Sequence, residues 1–113
     1  MATTLTWVLG LVLTLVGVLG FFNDPVLGIF ETDSTHNLIH LISGLVGLFA
    51  ASKGATLSRQ YLIVFGLVYA VVAVLGFMSG TDVLGLITIN TADNYLHTAI
   101  AAACLIVGFG KKA

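Results

Sequence analysis

Four long runs of apolar residues, separated by short polar segments, dominate the pattern along the chain. A helix needs about 20 apolar residues to cross the hydrocarbon core of a bilayer. No segment alternates apolar and polar residues over the roughly ten positions that a strand of a transmembrane barrel requires. The pattern therefore predicts an all-α membrane protein with four transmembrane helices. Their expected ranges are about 4–22, 34–52, 60–78 and 91–109.

Turn and capping residues separate these runs. Asn23–Pro25 predicts a turn after the first helix, and Lys53-Gly54 predicts the end of the second. Ser34 is the expected N-cap of the second helix, and Thr91 or Asn90 that of the fourth. The loops after the first and third helices are unusually apolar, and a short strand pairing between 29–32 and 87–90 is expected there.

The chain contains two copies of one helical hairpin. Gly10–Phe21 (GLVLTLVGVLGF) aligns with Gly66–Phe77 (GLVYAVVAVLGF), and Asn37–His40 (NLIH) aligns with Asn94–His97 (NYLH) at nearly constant spacing. Each copy holds two helices, so both copies insert into the membrane in the same sense. This predicts a pseudo-twofold four-helix bundle of two parallel-related repeats. The repeats cover about 4–52 and about 60–109.

The composition fits a chain surrounded by lipid. Hydrophobic residues make up 58% of the sequence, charged residues 8%, and the mean hydropathy is +1.12. A small water-soluble domain needs a more charged surface. With 113 residues there is room for one domain, and 1–113 is expected to form a single integral membrane domain. The net charge of -1 gives no indication of a nucleic-acid partner.

Charges of opposite sign fall at opposite ends of the predicted helices. The basic residues lie in the second loop and the C-terminal tail: Lys53, Arg59, Lys111 and Lys112. The acidic residues lie in the first and third loops or the adjacent helix starts: Asp24, Glu31, Asp33, Asp82 and Asp93. Because basic loops stay in the cytoplasm, this predicts cytoplasmic termini (N-in, C-in). The acidic loops would then face the outside of a bacterial inner or internal photosynthetic membrane, and Trp7 and Tyr61 would lie at the inner boundary.

Small residues recur along the predicted helices. Gly10, Gly17 and Gly20 lie on the first helix, and Gly44 and Gly47 on the second. In lipid, such residues allow the close backbone approach that drives helix association. These faces predict either packing within the chain or self-association with a second copy.

One group of polar residues within the spans could carry chemistry. Side chains three or four positions apart share a helix face, and polar groups near the edge of the hydrocarbon face the bundle interior. The repeat places the outer ends of the second and fourth helices, with the histidines, opposite each other. The group consists of His36, Asn37 and His40 on the second helix and Asp93, Asn94 and His97 on the fourth.

Several interpretations of this group stay open. His40 and His97 could ligate a haem or a chlorophyll-type pigment. His36, His40, Asp93 and His97 could together hold a transition metal. The histidines and Asp93 could also relay protons. Alternatively nothing binds, and a structural polar cluster that includes Asn37 and Asn94 forms hydrogen bonds between helices and to the loops.

Motifs for catalysis are missing from the sequence. It has no Gly-rich phosphate loop, no Ser-His-Asp arrangement and no Cys-x-x-Cys. We therefore expect no enzymatic activity, and a role as a structural or accessory subunit of a larger membrane assembly or as a homo-oligomer. The expected partners are the lipid bilayer and other subunits, which would bind through the transmembrane helices. The alternative function is that of a haem-, pigment- or metal-binding membrane module.

Five segments carry a resemblance to a known family. They are Leu27–Phe30 (LGIF), His36–Leu41 (HNLIHL), Tyr61–Gly66 (YLIVFG), Leu84–Leu86 (LGL) and Asn90–His97 (NTADNYLH). These segments resemble a bacterial family of small four-helix membrane proteins, described as domain of unknown function 4383. The resemblance covers nearly the whole chain. It implies a four-helix membrane fold and implies no activity.

Overall fold

The computed structural model describes residues 1–22, 33–85 and 87–110. Each of its four helices is long and apolar enough to cross a membrane, which confirms the prediction of four such helices. The helices are α1 (Ala2–Phe22), α2 (Ser34–Ser52), α3 (Ala55–Ser79) and α4 (Thr91–Phe109). Two short strands, β1 (Asp82–Val83) and β2 (Ile87–Thr88), lie between α3 and α4.

Large apolar side chains cover the outer faces of all four helices. Leu15 on α1, Phe49 on α2, Val71 on α3 and Ile106 on α4 are all more than half exposed. Large apolar surfaces of this kind are rare on soluble proteins. Exposed to acyl chains, they identify a small integral membrane protein whose outer surface contacts the bilayer.

The α3 helix is longer than predicted. It begins at Ala55, whereas the apolar run predicts a start near 60. Hydropathy marks only the part of a helix that lies in hydrocarbon, and helical bonding continues before it: the backbone N–H of Ser58 donates to the carbonyl of Gly54 at 3.1 Å. Gly54 has a φ of 107°, a conformation that favours glycine and allows the tight connection from α2.

The ranges of α2 and α4 match the prediction, and their N-caps are defined by side chains. Asp33, not Ser34, caps α2, because its carboxylate accepts a bond from the backbone N–H of His36. The expectation for Ser34 was therefore wrong by one residue. Asn90, one of the two expected residues, caps α4 and forms a capping box with Asp93.

Glycines bring paired helices into close approach. The α1 helix packs mainly on α2 and the α3 helix on α4, while α3 also contacts α1 and α2. A Cβ atom built on Gly17 would lie 2.6 Å from the backbone nitrogen of Leu41, and one built on Gly44 would overlap the backbone nitrogen of Thr14. Both glycines are thus used for packing within the chain.

Polar contacts join the helices in the half of the bundle that holds the α2–α3 connection. The Tyr61 hydroxyl donates to the carbonyl of Ser43 at 2.7 Å, and the Arg59 guanidinium donates to the carbonyl of Gly110 at 2.5 Å. Tyr61 is only 5% exposed. It therefore faces the bundle interior and not the lipid.

The strands form a short antiparallel hairpin at the opposite end. Asp82 pairs with Thr88, and Val83 pairs with Ile87. The sequence predicted that residues 87–90 pair with 29–32, which lie outside the described residues. Within the described part, the strand paired with β2 is β1.

The hairpin folds back against α3. Val83, Ile87 and Ile89 are buried and pack on Val72 and Leu75, which lie one to two turns inside the end of α3. Because the apolar side chains of the hairpin cover the helix, this segment does not extend into water. It closes the end of the bundle where α2 and α4 begin.

Substitution of Gly17 by alanine tests the close approach of α1 and α2. We expect Gly17→Ala to lower the free energy of unfolding by about 1–3 kcal/mol, because its Cβ meets backbone atoms that cannot rotate away. The measurement is an unfolding titration in mixed micelles of a mild detergent and dodecyl sulfate. The control is Val18→Ala, at an outward-facing position 41% exposed. A Gly17→Ala protein at least as stable as wild type would contradict the packing described here.

Candidate metal centre

Three buried histidines meet between α2 and α4. The ring centroids of His36 and His40 lie 4.4 Å apart, and the centroid of His97 lies 5.4 Å from the first and 5.7 Å from the second. Each residue is 1% exposed. One potential ligand nitrogen from each lies within 4.8 Å of the other two. The structure thus brings together all three histidines that the sequence singled out.

The α2 and α4 helices reach each other only through side chains. Among the described residues, no Cα atom of α2 lies within 8 Å of one of α4. His36 and His40 lie one turn apart and share a face of α2, which directs both rings across the gap toward His97. The two N-caps, Asp33 and Asn90, fix where each helix begins and therefore how far along it the histidines lie.

A backbone carbonyl sets the protonation of His36. Its Nδ1 lies 2.7 Å from the carbonyl oxygen of Thr88. A carbonyl oxygen only accepts hydrogen bonds, so Nδ1 carries a proton, and in the neutral form of the ring Nε2 is the nitrogen with the lone pair. Histidines that bind metals usually donate their other N–H to a carbonyl or carboxylate in this way.

The other two rings carry orphaned polar atoms. Considering residues 1–22, 33–85 and 87–110, neither ring nitrogen of His40 or of His97 has a hydrogen-bond partner. Leaving a buried polar group unsatisfied costs about 1–3 kcal/mol. A ligand that accepts nitrogen lone pairs removes part of this cost.

Tyr69 borders the cluster from α3. Its ring centroid lies 5.5 Å from that of His97 and 6.4 Å from that of His40, and the residue is 2% exposed. The sequence pattern did not single out Tyr69. The available signal was the repeat itself, because the aligned position of the first copy is the aliphatic Leu13.

Asp93, a predicted metal ligand, bonds to the start of its own helix. Its Oδ2 accepts from the backbone N–H of Asn90 at 3.0 Å, and the Asn90 side chain accepts from the backbone N–H of Asp93 at 2.8 Å. Asp93 is fully buried one turn before His97. The group of ligand atoms within 4.8 Å consists of the three histidines.

The two asparagines occupy equivalent places in the two helix pairs. A Cβ atom built on Gly20 would overlap Oδ1 of Asn37, and one built on Gly76 would overlap Oδ1 of Asn94. Each glycine on α1 or α3 therefore makes room for an asparagine side chain on the helix that follows. Both asparagines are buried, and among the described residues Oδ1 of each has no hydrogen-bond partner.

Asp33 lies at the edge of the site, before the first residue of α2. Partial burial raises the pKa of its carboxyl, but hydrogen bonds from His36 and Thr88 lower it more, so that the pKa lies below its usual value. The carboxylate is therefore ionised at neutral pH. Neither Asp33 nor Thr88 was a candidate in the sequence analysis, because their contact spans 55 residues.

Comparison with known proteins identifies one relationship. A family model described as "Domain of unknown function (DUF4383)" matches residues 3–110, which include all four helices. No curated protein and no solved structure matches the chain. The matched description names no activity, so a function has to be argued from the site.

Proposed function

Because the chain belongs to the family described as a domain of unknown function, we propose its function from its own buried histidines: it is a membrane protein that binds one transition-metal ion through His36, His40 and His97. The observation that carries the proposal is the meeting of three buried imidazoles with ligand atoms within 4.8 Å of one another. The orphaned nitrogens of His40 and His97 and the fixed tautomer of His36 support it.

The ligand type favours a particular class of metal. Neutral imidazole suits zinc, copper, iron and nickel, whereas magnesium and calcium prefer oxygen ligands. Two nitrogens bound to one metal at about 2.1 Å lie at most about 4.2 Å apart. The present spread of 4.8 Å therefore requires the rings to close slightly when the ion binds.

The crowding of the rings favours an ion over a larger cofactor. A haem between His40 and His97 would have its macrocycle in the space next to both rings, where the centroid of His36 lies within 5.4 Å of one and 4.4 Å of the other. A pigment held by one axial ligand needs a histidine with an open face. All three histidines are 1% exposed and offer none.

Zinc titration of the metal-depleted protein in detergent tests the proposal. We expect the wild type to bind one Zn²⁺ per chain, measured by calorimetry and by elemental analysis after gel filtration. His36→Gln, His40→Gln and His97→Gln should each weaken binding by at least about a hundredfold, since loss of a ligand exceeds the usual 10–100-fold effect of its outer partners.

Tyr69→Phe is the matched control, because it keeps the aromatic ring beside the cluster and removes only the hydroxyl. Its affinity for Zn²⁺ should stay within about threefold of wild type, well below the effect of losing a ligand. A wild-type protein without zinc, copper, iron or nickel binding would refute the proposal. The histidines would then belong to a purely structural polar cluster.

We further propose the finer topology predicted from the sequence: two parallel-related repeats with both termini in the cytoplasm. The equivalent contacts of Asn37 with Gly20 and of Asn94 with Gly76 support the repeat. Arg59 lies near the α2–α3 connection, and Asp33 lies beside the hairpin at the other end of the bundle. This separation of charge supports the orientation, because basic residues stay on the cytoplasmic side.

Cysteine labelling tests this orientation. In a Cys104→Ser background, a membrane-impermeant maleimide should label Thr81→Cys in intact cells and Lys53→Cys only after permeabilisation. Both positions are exposed and lie at opposite ends of α3. The reverse pattern would mean that the chain inserts with its termini outside.

The role of a non-catalytic accessory subunit, in a larger membrane assembly or a homo-oligomer, remains a proposal alongside metal binding. Its support is the exposed apolar surface of all four helices, which offers the main area for contacts in the bilayer. Native mass spectrometry after extraction in mild detergent should detect a stoichiometric partner or a defined oligomer. A monomer alone, at every detergent concentration, would contradict this role.

A further inference from the structure

The Asp33 carboxylate joins the start of α2 to the hairpin between α3 and α4. Its Oδ1 accepts from the backbone N–H of His36 at 2.8 Å, which is the cap of α2. Its Oδ2 accepts two bonds from Thr88: from the backbone N–H at 2.8 Å and from the hydroxyl at 3.0 Å. The two carboxylate oxygens thus bind different halves of the chain: Oδ1 binds the start of α2, and Oδ2 binds β2.

Thr88 also contacts α2 through its backbone carbonyl. Its carbonyl accepts from Nδ1 of His36 at 2.7 Å. Asp33, Thr88 and His36 therefore form a closed ring of hydrogen bonds, in which the carboxylate holds Thr88 and Thr88 holds the imidazole. The same carbonyl decides which nitrogen of His36 is protonated.

We propose that Asp33 and Thr88 are positioning residues of the metal centre, which keep Nε2 of His36 as its ligand atom. The expected effect on metal affinity rests on the proposed function. The expected effect on the His36 tautomer rests on the hydrogen bonds alone. Outer partners of this kind fix the tautomer and orientation of a metal-binding histidine. Here the outer partner is a backbone carbonyl, and a carboxylate from the other half of the chain holds that carbonyl in place.

The cap and the positioning contact of Asp33 can be separated by substitution. Asparagine caps helices about as well as aspartate, so Asp33→Asn keeps an oxygen for the N–H of His36. The second atom becomes an amide nitrogen, which donates and cannot accept from the N–H of Thr88. The substitution therefore removes the bond from the backbone N–H of Thr88 and leaves at most a reversed bond, from the amide to the Thr88 hydroxyl, while the start of α2 stays capped.

The experiment measures two quantities in Asp33→Asn: the tautomer of His36 in the metal-free protein, by ¹⁵N NMR, and the affinity for Zn²⁺. We expect wild-type His36 to show a single Nδ1-protonated form and the variant a mixture of both tautomers. Zinc affinity should fall about 10–100-fold. The control is Asp82→Asn, whose carboxylate accepts from Gly85 within the hairpin, and which should leave both quantities unchanged.

The two measurements separate the inference from the proposed function. Unchanged tautomer and unchanged affinity in Asp33→Asn would overturn the positioning role. A shifted tautomer in a protein that binds no zinc would support the positioning of His36 and refute the metal proposal. If Asp33→Asn does not fold, the same measurements are made on two other variants. Asp33→Ser caps α2 but is too short to reach Thr88, and Thr88→Val removes only the hydroxyl bond. Thr81→Val is the control for the latter, and a wild-type tautomer in both variants would likewise overturn the inference.

Discussion

The close approach of helices at glycine residues is the constraint on which the rest of this structure depends. In a bilayer the surrounding lipid is as apolar as the helix surfaces, so helices associate by van der Waals packing and not by the hydrophobic effect. Gly17 and Gly44 allow α1 and α2 to meet at backbone distance, and Gly66 lies against Cys104 and Leu105 where α3 meets α4. These two tight pairs, joined through α3, determine where the polar side chains at the helix starts meet.

Burying these polar side chains costs desolvation free energy, so their place in the interior of such an apolar protein needs a physical explanation. Only 8% of the chain is charged, yet His36, His40, Asp93 and His97 are at most 1% exposed and lie at one end of the bundle. Hydrogen bonding explains part of this burial, since Asp93 completes the cap of α4 and His36 bonds to Thr88. It does not explain His40 and His97, whose ring nitrogens lack such bonds in the part of the chain that the structure describes. The metal ion proposed above would use all three rings at once.

The sequence predicted the four helices well because they follow from local pattern. It also singled out the three histidines that the structure brings together. The ranges of α2 and α4 were correct because a polar capping residue stands next to the apolar run at each start. Two residues of the site were missed. Tyr69 was marked only by the repeat, in which the aliphatic Leu13 is its counterpart. Thr88 was not predictable, because its contacts depend on how the hairpin folds back. The burial of Tyr61 was not predicted, because an aromatic residue near a helix end has the same pattern whether it faces lipid or the interior. The internal repeat and the orientation stay predictions.

Within the described ranges the backbones of α2 and α4 do not come close to each other, so the histidine rings link these two helices through side chains alone. An ion held by His36, His40 and His97 would cross-link two helices that main-chain packing leaves apart, much as a disulfide does in a secreted domain. Its binding energy would add to the stability of the folded chain, by about 2.7 kcal/mol when the free ion is at a hundred times its dissociation constant. The lifetime of this protein in the membrane would then follow the supply of metal, so that its abundance reports on how much of the ion is available.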